Sequence, residues 1–239
     1  MLRQQGRHYL DAAGNASVQT PDFFLLVEGQ TLAPPATPIA PAPVGLRLLY
    51  YLLSDPELLQ APYREISQRV GVALGSVSTF FTELRQQGLL REEATRQIVD
   101  TKLLLARWLE DYSYLLRPTL GAQRYRWKTA PSVRWRQLPM VTGAYWGGEP
   151  AARLLLQEKH SSPRSFTLYS DCLPDWGLVP DPVAGSLEVL APPFPLPQLA
   201  GTGGIAHPLL VYTDLLLSSQ ASAQHIACQL RARYLPHLA

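Results

Sequence analysis

Apolar positions along this chain change period several times, and each change marks an element. Arg7-His8-Tyr9-Leu10 and Ser17-Val18-Gln19 flank Ala13-Gly14-Asn15, where Gly14 and Asn15 tolerate positive φ, so the stretch reads as a β-hairpin. Phe23 to Val27 is a second, more apolar strand, ended by Gly29. Pro34, Pro35, Pro38, Pro41 and Pro43 then forbid helix and disfavour sheet pairing, which predicts an extended tether over 31–43. From Val44 the period becomes helical, with Leu46, Leu49, Tyr50 and Leu53 on one face, until Asp55-Pro56 breaks it. Pro62 opens a helix over Tyr63–Val70, with Ile66 and Val70 inward and Gly71 as its left-handed stop. A third helix runs from Leu74 to Gln87, buries Val77, Phe81 and Leu84, and ends at Gly88. Leu89–Arg91 and Gln97–Val99 read as paired strands around a polar tip, Glu92 to Arg96.

Lys102 to Leu116 is helical again, with Leu105, Trp108, Leu109 and Tyr112 on one side and Pro118 beyond its end. The remainder is mixed. Strands are predicted at Arg124–Lys128, Ser165–Tyr169 and Ser186–Leu190, and helices at Glu149–Gln157, Leu209–Ser218 and Ala221–Tyr234. Pro192, Pro193, Pro195 and Pro197 mark a long loop. The fold class is therefore α+β: an N-terminal hairpin (1–30), a Pro-rich linker (31–43), a winged helix-turn-helix (44–101) and a mixed α/β C-terminal domain (102–239).

The stretch Tyr63 to Leu90 carries the most chemistry. Ser67 is small where two helices cross, and Gly71 permits the tight turn. With Val77, Phe81 and Leu84 on the core, the opposite face of the third helix presents Ser76, Ser78, Thr79, Thr82 and Arg85. Short hydroxyl side chains let a backbone approach a major groove, and an arginine reaches a phosphate or a guanine. Arg91 and Arg96, beside the tip of the following hairpin, are placed for DNA-backbone or minor-groove contact. The face is poor in charge and includes Glu83, so a protein-binding role for the same fold stays open.

A second basic stretch, Arg117 to Gln137, contains Arg124, Arg126, Lys128, Arg134 and Arg136 but no acid, with Tyr125, Trp127 and Trp135 interleaved. It reads either as a patch for single-stranded nucleic acid or a phosphate-rich partner, or as an edge strand with its rings in the core; the second is preferred. Enzyme signatures are sparse. No P-loop occurs, and Gly201-Thr202-Gly203-Gly204 lacks the strand and helix that a dinucleotide site needs. Glu149, Asp171 and Glu188 invite comparison with a restriction-type nuclease core, but Glu188-Val189-Leu190 lacks the lysine such a site places two residues on. No catalytic residue, cofactor or metal is expected. His207, beside Pro208 and ahead of an apolar helix, reads as structural.

Composition changes this picture little. Of 239 residues, 46% are hydrophobic and 17% charged, which argues for a packed core, and a net charge of +2 permits nucleic-acid binding without arguing for it. Cys172 and Cys228 stand far apart, outside any zinc-type spacing. No apolar run is long enough to span a membrane, and Met1 to His8 is polar and basic rather than a secretory leader, so a cytoplasmic protein is expected.

Five segments, met in order through the chain, carry a family resemblance. They are Tyr9-Leu10-Asp11-Ala12-Ala13-Gly14-Asn15-Ala16; Ala61 to Ile66 with Gly71 to Val77; Leu116-Arg117-Pro118; Trp146-Gly147-Gly148-Glu149-Pro150-Ala151-Ala152; and Pro208 to Leu216. Together they resemble one branch of the AbiEi-type antitoxins. The resemblance implies a regulator of a type IV toxin–antitoxin pair that represses its own promoter and counters a nucleotidyltransferase toxin, with the helix around Ser76 to Arg85 reading double-stranded DNA. It supplies no chemistry for Trp146–Glu149, which reads as a tight turn into a helix with Glu149 near the helix start. The chain departs from the resemblance in its long Pro-rich stretch, in bulky Phe80 on the reading helix, open to solvent or to a dimer contact, and in Ala73, which has no side chain to cap that helix. A homodimer is expected, since such readers pair across two half-sites. The alternatives are a winged-helix-targeted, nuclease-like protein and a protein–protein interaction module.

Overall fold

The computed structural model describes residues 9–10, 16–20, 23–27, 44–128, 132–158, 162–194, 203–218 and 220–238. The chain divides into two compact units, Met1–Pro38 and Ile39–Ala239. In the first, β1 (Tyr9–Leu10), β2 (Ala16–Thr20) and β3 (Phe23–Val27) form an antiparallel sheet in that order, with Tyr9 opposite Ser17 and Val18 opposite Leu25. The linker expected at 31–43 lies outside the described residues.

The second unit is mixed α and β. It opens with α1 (Val44–Ser54), which buries Leu46, Leu48, Leu49, Tyr50, Leu52 and Leu53, more than the single face its period suggested. The reason is that three later helices, Leu74–Gln86, Thr101–Asp111 and Pro208–Leu217, all pack against it. Tyr50 is the centre of that packing. Its ring lies 5.4 Å from Trp108, 4.9 Å from Phe194 and 5.9 Å from His207. After a 3-10 turn at Pro56–Gln60, whose first N–H groups Asp55 caps, come α2 (Tyr63–Val70) and α3 (Leu74–Gln86). Gly71 joins them at φ 70°, ψ 44°, the left-handed stop that favours glycine. Ser67 ties the same turn by donating its hydroxyl to the Val72 carbonyl at 2.6 Å. β4 (Leu90–Glu92) and β5 (Arg96–Ile98) follow as an antiparallel pair.

One expectation about α3 is corrected. Phe80 is fully buried, edge-on to Phe81 with ring centroids 5.9 Å apart, and offers no ring to solvent or to a second chain. The helix turns a wider apolar arc to the core than Val77, Phe81 and Leu84 alone described.

α4 (Thr101–Asp111), capped by the Asp100 carboxylate on Leu103 N–H, passes through one π-type turn, Tyr112–Leu116, and a 3-10 turn, Arg117–Leu120. A five-stranded sheet then forms in the order β7–β8–β10–β6–β9: β6 (Gln123–Trp127), β7 (Tyr145–Gly147), β8 (Phe166–Tyr169), β9 (Leu178–Pro180) and β10 (Leu187–Leu190). Only β8 and β10 run parallel. The helices are α5 (Gly148–Leu155), α6 (Pro208–Leu217) and α7 (Ala221–Tyr234), packed on one another, with α5 on β7 and β8. β6 lies inside the sheet rather than at its edge; the edges are β7 and β9, three residues each. A boundary at 101/102 is crossed by the α1–α4 and α1–α6 packing within the one unit. Among the described residues no helix is long and apolar enough to cross a membrane.

The turn into α5 depends on two glycines. A Cβ on Gly147 would lie 2.6 Å from Asp214 Oδ2 and 2.7 Å from Tyr169 Cε2. Gly148 adds a positive φ of 48° and a Cβ position 2.8 Å from Thr167 Oγ1. Gly147→Ala is therefore expected to destabilise the protein by about 2 kcal/mol through overpacking, read by urea unfolding. An unchanged midpoint would show that Asp214 and Tyr169 yield without cost.

Candidate nucleic-acid interface and a buried polar cluster

α3 separates its two faces by burial. Val77, Phe80, Phe81 and Leu84 are fully buried, while Ser78, Thr79 and Arg85 are exposed and Ser76 and Thr82 are half-buried at the border. Its start has no side-chain cap, as Ala73 implies; Ser76 and Val77 N–H bond to the Ala73 carbonyl instead. The five side chains expected on the outer face are thus brought together on one surface.

The three arginines fare differently. Arg85 is exposed but pairs with Glu92 of the hairpin and donates to Thr82 Oγ1 at 3.2 Å. A phosphate there competes with an intramolecular carboxylate. Arg91 is exposed on β4 and has no partner among the described residues. Arg96, expected to reach outward from the tip, turns inward. It donates to the carbonyls of Leu59 at 2.8 Å and Ala61 at 2.9 Å, and its guanidinium lies 4.9 Å from the Tyr63 ring and 5.2 Å from the Phe81 ring. Gln60 clamps the Arg96 backbone, donating to its carbonyl at 2.5 Å and accepting its N–H at 3.1 Å. Arg96 therefore fastens the hairpin to α2 and α3. The pattern that placed it at the tip could not show the ring pair that α2 and α3 hold ready for it. Arg64 is exposed on α2 without a partner among the described residues, and no periodic pattern in the sequence marks it.

The second basic stretch is not a stacking surface. Tyr125 and Trp135 are buried, and Trp127 stacks on Trp176 at 5.9 Å within a cluster that includes Trp146 and Phe166. Arg126 lies 3.8 Å from Asp181, Arg136 lies over Trp135, and Arg124 and Lys128 are exposed. The side chain of Arg134 lies outside the described residues.

The nuclease-type acids are dispersed among internal partners. Glu149 is 5% exposed, pairs with Arg153, and accepts N–H bonds from Arg164 at 2.8 Å and Ser165 at 3.4 Å. Glu188 pairs with Arg117, and Asp171 is exposed. Among the described residues no three metal-ligating side chains gather. His207 caps α6 through Nδ1, which accepts Leu209 N–H at 3.2 Å; burial lowers its pKa to about 4, which keeps that nitrogen an acceptor.

What sequence reading did not find is a buried polar cluster in the C-terminal half. Asp214 of α6 accepts from Tyr169 Oη at 2.8 Å and from Gly148 N–H at 3.0 Å, and Arg117 Nη1 lies 3.4 Å away. Tyr169 and Tyr112 share a hydroxyl contact at 2.8 Å. Next along α6, Thr213 accepts from Trp108 Nε1 at 2.8 Å. Three of the five resembling segments, those holding Arg117, Gly147-Gly148 and Asp214, meet at this one place.

Two outcomes follow. Arg96→Ala is expected to cost about 2 kcal/mol, since it frees two carbonyls from charged hydrogen bonds and uncovers two rings, and Arg96→Lys recovers little because the planar fork is lost. Guanidinium unfolding of both variants checks this; a cost under half that size would mean that Gln60 holds the hairpin unaided. Asp214 provides a pH signature. Burial raises its pKa from 3.8 to about 6, against the lowering effect of Arg117 and its hydrogen bonds. The folded state therefore binds this proton more tightly than the unfolded chain. Its contribution is complete below about pH 4 and is lost as pH rises through about 6, a fall on the order of 3 kcal/mol. Subtracting the stability profile of Asp214→Asn from that of the wild type isolates this slope; a flat difference between pH 4 and 7 would refute it.

No curated protein and no solved structure matches the chain. A family model described as "Transcriptional regulator, AbiEi antitoxin, Type IV TA system" matches residues 97–236, from within β5 through α7, so the buried cluster lies inside the match and α1 to α3 precede it. Since that span is more than half of its 239 residues, the chain belongs to the AbiEi_2 family of type IV toxin–antitoxin transcriptional regulators.

Proposed function

We propose that α1 to α3 and the β4–β5 hairpin, within residues 44–101, form a winged helix-turn-helix that binds double-stranded DNA. In this reading the protein represses its own toxin–antitoxin operon and acts as the antitoxin to a nucleotidyltransferase, in the cytoplasm and without catalysis of its own. The observation that carries the DNA half is the division of α3: four fully buried apolar side chains on one side and a run of short hydroxyls on the other. Ser78 and Thr79 enter the major groove, with Ser76, Thr82 and Arg85 at its margins. Arg91 on the hairpin and Arg64 on α2, both free cations, take phosphates. Arg96 acts through the hairpin it fastens rather than by touching DNA. The antitoxin half rests on the family match. Residues 102–239 serve as the domain that gives the family its common core, and two chains bind per operator.

Fluorescence anisotropy of the full chain against its own upstream duplex and a scrambled duplex, over a salt series, tests this. Preference for the upstream duplex, with two chains bound, is expected. Thr79→Ala should weaken that binding about tenfold and reduce the preference. Arg91→Ala should weaken both duplexes alike and lower the salt slope by about one. Equal binding of both duplexes, insensitive to both changes, would overturn the reading.

A further inference from the structure

The sheet of the second unit carries a cleft of about 520 Å³ that the DNA reading does not use. Its floor follows from strand register. Arg124 of β6 pairs with Glu188 of β10, Glu188 with Thr167 of β8, and Thr167 with Gly147 of β7. Directly paired residues project to the same face, so these four positions form one row across four strands. The aromatic cluster belongs to neighbouring positions and hence to the opposite face. α5 and α6 cover the β7–β8 end of the row, and the β10–β6 end stays open as the cleft.

The electrostatics of the lining are decided by which charges are already matched. Three acids line it, and each is satisfied from within: Glu149 by Arg153 and two backbone N–H groups, Glu188 by Arg117, and Asp214 by Tyr169, Gly148 N–H and Arg117. Three arginines line it as well. Arg117 is committed, but Arg124 and Arg164 are exposed and have neither an ion pair nor a side-chain hydrogen bond among the described residues. The unmatched charge of the cleft is therefore two guanidiniums. The start of the 14-residue α7, which no side chain caps, also lines the cleft. Gln220, at that start, lines the cleft, and its amide oxygen is buried with no partner among the described residues. Leu217 and Val183 add apolar wall.

We propose that this cleft is a binding site for a nucleoside phosphate: Arg124 and Arg164 hold the phosphate oxygens, and the Gln220 amide bonds a sugar hydroxyl or base edge. Guanidiniums match phosphate geometry in a bidentate manner. The volume lies within the range that small-ligand sites occupy. The site is separate from the α3 surface, so its occupancy is measurable without DNA.

Isothermal titration calorimetry of the full chain with ATP and with GTP tests this, with adenosine, inorganic phosphate and a ten-residue oligothymidylate as further titrants. Saturable binding of a nucleoside triphosphate at one site per chain is expected, with no heat from adenosine. The doubly substituted Arg124→Ala/Arg164→Ala protein should bind at least tenfold more weakly. Both side chains are exposed and unpaired, so an unchanged melting curve confirms that the fold is intact. Gln220→Ala should weaken the nucleotide while leaving inorganic phosphate unaffected. Failure of both nucleotides to bind at millimolar concentration, or equal binding by the double variant, would overturn the site. Tighter binding of the oligothymidylate than of either nucleotide would overturn it in favour of a strand-binding groove.

Discussion

A carboxylate removed from water must be neutralised where it stands, and the C-terminal half is arranged around that requirement at Asp214. Isolated burial of a charge is among the most expensive events in folding. Here it is met by contributions from four separate elements: Arg117 from the turn after α4, Tyr169 from β8, the first N–H of α5, and the position of α6 itself. Removal of any one leaves the others holding an uncompensated group. The same requirement explains why Gly147 and Gly148 stand side by side. The carboxylate reaches the α5 N–H only if no Cβ intervenes, and the nearest Cβ position is already inside its contact distance.

The basic residues sort by the same logic of commitment. Arg96 and Arg117 are held by internal acceptors and rings, so their energy goes into fixing elements in place. Arg64, Arg91, Arg124 and Arg164 are exposed without partners among the described residues, and only such cations have attraction left for a ligand. A net charge of +2 hides this division entirely. Arg85 stands between the classes: exposed, yet paired with Glu92, so that approach of a phosphate exchanges one partner for another.

Much of the fold was legible in the chain, and the reasons are local. Gly71 and Gly88 end α2 and α3 as expected because left-handed stops are written in single residues. The helices from α1 to α7 were all anticipated, α1 to α4 because each sustains an apolar period over two or more turns. β7 and β9 were missed, since three residues are too few to show alternation and neither has the polar hairpin tip that marked the equally short β4 and β5. The placement of β6 inside the sheet was missed too, because strand order is settled by pairing at long range and leaves no trace in a strand's own residues. For the candidate DNA surface, the hydroxyl face of α3 was readable from helical spacing alone. The inward turn of Arg96 was not, because its partners Leu59, Ala61, Tyr63 and Phe81 come from three other segments. The Asp214 cluster gave no periodic signal at all; residues bonded within it lie up to 105 positions apart, and only the short resembling segments hinted that those places mattered.

Tyr50 has a further consequence. Its ring is shared between the helix that leads into the candidate reader and residues as distant in sequence as Phe194 and His207, while Leu53 offers its carbonyl to His237 near the end of the chain. The core of residues 44–98 is thus completed by side chains from the other end of the protein. The segment from α1 to β5 is therefore not self-sufficient: cut after the hairpin, α1 would expose the leucines and the tyrosine that α4 and α6 now cover. Residues 44–238 therefore melt as one cooperative body, and cleavage in the C-terminal half exposes the core of α1 to α3 as well.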